Sequence, residues 1–189
     1  VSGAAADSAV GNAVVLNLTD DAAPEAVLAE LRQTAPERLV IDVDNAPGID
    51  PFVLAAAIIT AVPGIHTTLR VPTPRWHPYA IARRLAELDK LSGGRLAWTP
   101  VDVEPERAAE AARIVAGLLT SWAPDAVIND RASGVHVDTD RVRPVRFTGR
   151  HYRIDAALDA PPGPQRTVPI AAGPAVADPN VTTAEEITR

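Results

Sequence analysis

One regularity restricts what this chain can fold into more than any other. Short apolar runs open at Ala13, Leu39, His66 and Arg95, and a helix-like segment follows each. The openings are roughly 26 to 29 residues apart, the spacing of repeated strand–helix units. The runs read AVVLNL, LVIDVD, HTTLRV and RLAWTPV, apolar enough for parallel strands covered on both faces. Between them, residues 24–34 place Val27, Leu28 and Leu31 on one helical face. Asp50-Pro51 gives an N-cap followed by proline at the first helical position, and that helix stops at Pro63-Gly64. His77-Pro78 opens a third helix with Ile81, Leu85 and Leu88 at i, i+4 and i+7, closed by Ser92-Gly93-Gly94. Residues 105–122 form the fourth, with Ala108, Ala112, Val115, Leu119 and Trp122 inward. An open doubly wound sheet and a (β/α)8 barrel both satisfy this rhythm. No Gly-x-Gly-x-x-Gly follows the first strand and no Gly-Lys-Ser/Thr occurs, which argues against nucleotide binding of those two kinds.

After Trp122 the rhythm breaks. Residues 123–143 are polar and rich in Asp and Arg, a loop or excursion. Residues 145–154 (VRFTGRHYRI) predict a hairpin turning at Thr148-Gly149. A Pro-rich link, PPGPQ, leads to a fifth strand over residues 168–172. The organisation expected is a disordered N-terminus (1–12), one α/β domain (13–173) with a hairpin excursion at about 123–165, and a polar tail (174–189), with a short helix opening at Thr182 or Thr183.

Aromatics are only 4% of the 189 residues, so the core must be built from Ala, Val, Leu and Ile. A net charge of -6 argues against a nucleic-acid partner, which would want a basic face. The absence of cysteine excludes disulfides, thiol catalysis and cysteine metal sites. The four histidines (His66, His77, His136, His151) lack ligand spacing, so no metal is expected. No apolar run approaches the roughly 20 residues of a membrane span, and no signal-peptide layout opens the chain. A cytoplasmic protein is the expectation.

Residues 77–98, HPYAIARRLAELDKLSGGRLAW, resemble the luciferase-like flavin-dependent monooxygenase family, and more narrowly the branch that oxidises nitrilotriacetate and dibenzothiophene sulfone. In that branch the third helix reads H-P-Y-x-x-A-R-x-x-A-x-L-D-x-L-S-G-G-R, with a Trp in the next strand. A second block, LLTSWAPDAVINDRASGVHVDTDRVRPVRFTGRHYRID, is similar to the same branch in its Ser-Trp, Asp-Ala-Val, Ala-Ser-Gly and Gly-Arg-His-Tyr elements. Residues 165–173 continue it, so the resemblance covers roughly residues 50 to 173.

The resemblance implies a partial or shortened (β/α)8 barrel, a bound FMN or deazaflavin, and a separate flavin reductase as partner. It places the flavin at the C-terminal mouth of the strands, lined by Asp44, Trp98, Thr99, Asp102 and Gly173. His77 and Tyr79 are the catalytic candidates, with capping of the third helix as the structural alternative for His77. Residues 98–103 depart from the family's Trp-Asn-x-Val-Thr-Ser: Thr99 replaces the Asn, and Asp102-Val103 replaces the Thr-Ser pair. A carboxylate at Asp102 is unfavourable beside an anionic cofactor unless something screens it. After the fifth strand the family's Ala-Gly-x-Ser-x-x-Gly phosphate turn is here Ala172-Gly173-Pro174-Ala175, where proline removes a backbone donor. Five strands do not close a barrel, so the open sheet needs a cover, either a homodimer or a partner chain. Two readings stay open. One is a flavin-dependent monooxygenase component. The other is a non-catalytic relative acting as a dimeric scaffold or as one half of a split barrel.

Overall fold

A computed structural model of the chain describes residues 13–17, 24–42, 48–171 and 182–183. Four strand–helix units follow one another: β1 (Ala13–Asn17), α1 (Pro24–Thr34), β2 (Arg38–Asp42), α2 (Pro51–Ala61), β3 (His66–Pro72), α3 (Pro78–Ser92), β4 (Leu96–Val101) and α4 (Pro105–Leu119). Strands β1 to β4 pair in parallel and in chain order. The register lines up Leu16, Ile41, Leu69 and Trp98 as one row across the sheet. This row is buried beneath the helices with Val71, Leu85, Ile114 and Leu118. The opposite row behaves differently. Thr68, Arg70, Ala97 and Thr99 are only half-buried, so burial alternates along β3 and β4. In a closed barrel that second face is the interior. The described sheet is thus α/β and parallel, as the strand–helix rhythm predicted, and consistent with the partial barrel that the resemblance implies.

Local chemistry sets the helix boundaries. Asp50 accepts from the backbone N–H groups of Phe52 (2.9 Å) and Val53 (3.3 Å), and Pro51 supplies the first helical φ of α2. At the start of α3, His77 Nδ1 accepts from Tyr79 N–H at 3.2 Å. Gly93, at φ 63°, ends that helix in the left-handed conformation glycine tolerates. Helix α4 ends three residues before the expected Trp122. Thr120 and Ser121 take the last carbonyls with their hydroxyls, at 2.9 Å to Ala116 O and 2.7 Å to Leu118 O, and so close the helix. Its inward face is also rotated from the expectation: Ala111, Ile114, Val115, Leu118 and Leu119 are buried, whereas Ala108 and Ala112 are half-buried.

Residues 123–143, expected as a loop, contain an antiparallel hairpin of β5 (Val127–Asp130) and β6 (Val135–Val137). Asp130 accepts from Ala132 N–H (2.9 Å) and Ser133 Oγ (2.6 Å), and Gly134 turns at φ 73°. This Asx-type turn, hidden in a polar stretch, brings the two short strands together. The second hairpin, β7 (Val145–Thr148) with β8 (Arg153–Ala156), forms where the alternation predicted, with Thr148 paired to Arg153. The expected fifth strand shrinks to a single parallel bridge between Ile170 and Trp98. Trp98 N–H donates to Pro169 O (3.0 Å), and Ala171 N–H donates to Trp98 O (2.9 Å). Pro169 has no N–H of its own, which limits a longer ladder. The short helix expected at Thr182 or Thr183 is replaced by β9 (Thr182–Thr183), which pairs in parallel with Val14 and Val15 at the free edge of β1. The sheet order is β4-β3-β2-β1-β9. The expectations for residues 1–12 and for most of 174–189 lie outside the described residues. No helix among the described residues is long and apolar enough to cross a membrane.

Candidate functional site

Parallel strands bring their C-terminal ends to one rim, where loops assemble sites in such folds. At the rim of β3 and β4 the chain places Thr73, in a short 3-10 turn after β3, beside Asp102, one residue beyond β4. The Asp102 side chain is 0% exposed. Its carboxylate accepts from Arg107 Nε (2.7 Å), Arg107 Nη2 (2.7 Å), Glu104 N–H (2.9 Å) and the Thr73 hydroxyl. The two-pronged contact from Arg107, in the first turn of α4, matches the fork of a guanidinium to a carboxylate. That guanidinium holds the Asp102 carboxyl far below the usual aspartate range, against the opposing push of burial. The negative charge expected at this rim is therefore present and is screened by Arg107.

The turn of the β7–β8 hairpin lies over the same rim. Tyr152 donates its hydroxyl to Thr73 O at 3.2 Å. Its ring meets His77 edge-on, with centroids 5.9 Å apart and planes at 89°. Burial pushes the Tyr152 phenol up, so it stays protonated near neutral pH. Glu110 on α4 anchors the turn, accepting from the N–H groups of Arg150 (2.7 Å), His151 (3.0 Å) and Tyr152 (3.1 Å). His151 Nε2 sits 3.7 Å from Glu104 Oε2, and Arg150 pairs with Glu106 at 3.1 Å. On the inner face of the wall, Arg70 on β3 forms an ion pair with Asp42 on β2 at 2.6 Å.

The residues singled out from the sequence fall in different places. Asp44 and Gly173 lie outside the described residues. Trp98 belongs to the helix-covered face and is 1% exposed. Thr99 faces the inner side and donates its hydroxyl to Ala171 O at 3.0 Å, tying β4 to the fifth stave. Asp102 and His77 are brought to one rim, linked through Thr73 and Tyr152. Tyr79 points away from them, and its hydroxyl oxygen accepts from Asp159 N–H at 3.1 Å, in the link after β8. No group of three or more His, Asp or Glu side chains among the described residues could hold a metal ion.

Sequence reasoning missed Thr73, Arg107, Glu110 and Tyr152 as parts of the rim. Asp102 was visible as a carboxylate following the fourth apolar run; its Arg107 partner has no such mark. It also missed what joins the two motif blocks. Asp89, 1% exposed, accepts from Gln165 N–H (2.9 Å) and Gln165 Nε2 (2.7 Å). Gln165 Nε2 also reaches Leu96 O at 2.8 Å. Ser121 Oγ accepts from Leu158 N–H (3.1 Å), and Trp122 Nε1 donates to Leu158 O (2.7 Å). These motif residues therefore lash the link after β8 to α3, β4 and α4, and so hold the fifth stave in place.

The described residues do not form a cradle for a flavin on their own. Trp98 offers no open ring face, Asp102 is saturated by its partners, and Thr99 is engaged with Ala171. What they do form is a preorganised rim and an inner face that is half-open along β3 and β4, while Val15 and Val40 on the same face are buried.

No family model matches the chain. It is 33% identical over 153 residues to the dimethyl-sulfide monooxygenase of Hyphomicrobium sulfonivorans, a match that takes in 69% of this chain and 32% of that protein. The solved structure of a long-chain alkane monooxygenase superposes with a TM-score of 0.70 at 21% identity, over 87% of this chain and 52% of the other. A riboflavin lyase, solved with modified FMN and its substrate riboflavin, superposes with a TM-score of 0.67 at 21% identity, over 83% of this chain and 48% of the other. The chain thus spans about a third of that curated relative and about half of each solved chain.

Proposed function

As this chain is a homologue of the flavin-dependent luciferase-like monooxygenases, we propose that it supplies the first half of such an enzyme's barrel, and that flavin binds only once further staves complete the wall. One observation carries the reading. The helix-covered face is sealed, whereas the inner row of Thr68, Arg70, Ala97 and Thr99 is left half-open. A wall built like that has a second side still to be filled.

The cofactor in this reading is FMN or a deazaflavin, delivered reduced by a separate flavin reductase. When bound, it supplies the electrons that activate oxygen, which is the cofactor's own chemistry. The chain's residues do the rest. Asp44 and Gly173 are proposed as direct flavin contacts. Trp98 supports the mouth from behind the wall, and Thr99 fixes the fifth stave. Asp102 keeps Thr73 and Arg107 in place. Tyr152 offers a protonated hydroxyl at the rim, with His77 beside it and Tyr79 holding the link below.

A specific observation favours a second reading, a non-catalytic relative that acts as a dimeric scaffold or as one half of a split barrel. Ile170, on the outermost stave, is 53% exposed, a position suited to contact with a second copy or a partner chain.

Equilibrium dialysis against FMN, combined with light scattering, separates these readings. We expect the bare monomer to retain no yellow absorbance at micromolar FMN, and retention to appear in a species that contains further staves. Stoichiometric retention by a monomer would overturn the requirement for completion. An assembled species that binds no flavin would favour the scaffold.

A further inference from the structure

We propose that Glu110 is a positioning residue: its ionised carboxylate locks the turn at residues 149–152 across the β3–β4 rim, sets Tyr152 against His77 and Thr73, and releases the turn when it takes up a proton. The inference rests on the reading above only in treating that rim as the place where a ligand would meet the chain.

Three backbone donors converge on one side chain from a different element. Arg150 N–H is 2.7 Å from Oε1, and His151 and Tyr152 N–H are 3.0 and 3.1 Å from Oε2. An ionised carboxylate has room for all three donors. A protonated one gives up an acceptor site to its own hydrogen and accepts more weakly, so its grip on the three donors loosens. Gly149 makes the approach possible. A Cβ at that position would lie 2.4 to 2.6 Å from the carboxyl atoms of Glu110, closer than such atoms pack. Gly149 N–H closes the turn on Tyr152 O at 2.9 Å.

The groups around the lock come from three elements. Helix α4 brings Glu104, Glu106 and Arg107. The turn brings Arg150, His151 and Tyr152, and the rim brings Asp102 and His77. Arg150 is occupied by Glu106, and Arg107 by Asp102 and Glu104. His151 lies between the lock and Glu104, so a proton on His151 reinforces it. Burial pushes the Glu110 carboxyl up, but the three N–H donors and His151 outweigh it and hold the group below its ordinary value. The lock is therefore closed at neutral pH and opens only in acid.

The test reads amide proton shifts and exchange by NMR in the full chain without flavin, so its outcome is independent of whether FMN binds. At neutral pH, Glu110→Gln should lower protection at residues 150–152 by tenfold or more and leave β3 and β4 protected. In the unsubstituted protein the same three amides should titrate together in acid, with the step absent from E110Q. Gly149→Ala should give the same local loss from the other side of the contact. Unchanged protection in E110Q, or a loss shared equally by β3 and β4, would overturn the proposal. If E110Q does not fold, the titration of the unsubstituted protein decides: no common step for the three amides refutes the lock.

Discussion

Asp102 shows how one side chain can hold a rim together. It accepts from Glu104 N–H in the turn before α4, grips Arg107 and receives the Thr73 hydroxyl. Removing it strands the hydrogen-bond partners of a buried carboxylate, at a cost of about 1 to 3 kcal/mol. Because Arg107 keeps some solvent, the pair is worth less than a fully enclosed one. We expect Asp102→Ala to cost on the order of 2 kcal/mol in denaturant melts. The folded-state pKa of Asp102 is depressed, so its contribution is complete above the ordinary aspartate value, about pH 4, and is withdrawn as pH falls below it. The melts should show a slope in acid that D102A lacks. The sequence placed a carboxylate at this rim and raised the question of what screens it. The answer, Arg107, was not legible, because a bidentate contact five residues away depends on how the turn between β4 and α4 is shaped.

At the scale of the element, the fifth stave is held by neighbours more than by its own ladder. One bridge joins Ile170 to Trp98, while Asp89, Gln165 and Thr99 hold the approach and the edge. Gly163 lies against this clamp: a Cβ there would fall 2.3 Å from Asp89 Oδ2 and 2.7 Å from Asp89 Cβ. Asp89 is buried and tethered, so it has little room to yield. Gly163→Ala should destabilise the fold by about 2 kcal/mol, in the range for overpacking. It should also expose the amides of Trp98 and Ala171 to exchange before those of β2 and β3. Exchange that is unchanged at those two amides would count against the clamp. The elements themselves differed in how far they could be read. Helices α1 to α3 and strands β1 to β4 followed from periodicity and from caps such as Asp50-Pro51, because burial there repeats with the backbone. The β5–β6 hairpin did not, since its strands are mostly exposed and its turn rests on Asp130. The end of α4 was hidden for a similar reason: Thr120 and Ser121 break an apolar pattern that runs on to Trp122.

For the whole molecule, the strand–helix rhythm and the motif blocks were enough to identify a piece of a barrel wall. They were less informative about the rim. Of the seven residues singled out, Asp102 and His77 meet there, Trp98 turns to the helices, and Asp44 and Gly173 fall outside the described residues. Ile170 is exposed on the same face as Trp98, where no described helix covers it. A charge beside an edge strand discourages further pairing. Ile170→Lys should therefore shift any self-association seen by light scattering toward monomer, while changing stability by no more than about 0.5 kcal/mol, as expected for a surface change. An unaltered assembly state would show that copies meet elsewhere.

The direction of that last stave has a geometric consequence. Trp98 takes the bonds of Pro169 and Ala171, so the peptide groups of Ile170 point away from β4. Two copies joined there about an axis normal to the sheet would run head to tail, and every strand of a (β/α)8 ring must run the same way. Such a pair yields a broader ribbon with both margins still open. Enclosure demands strands that travel in step with Ile170.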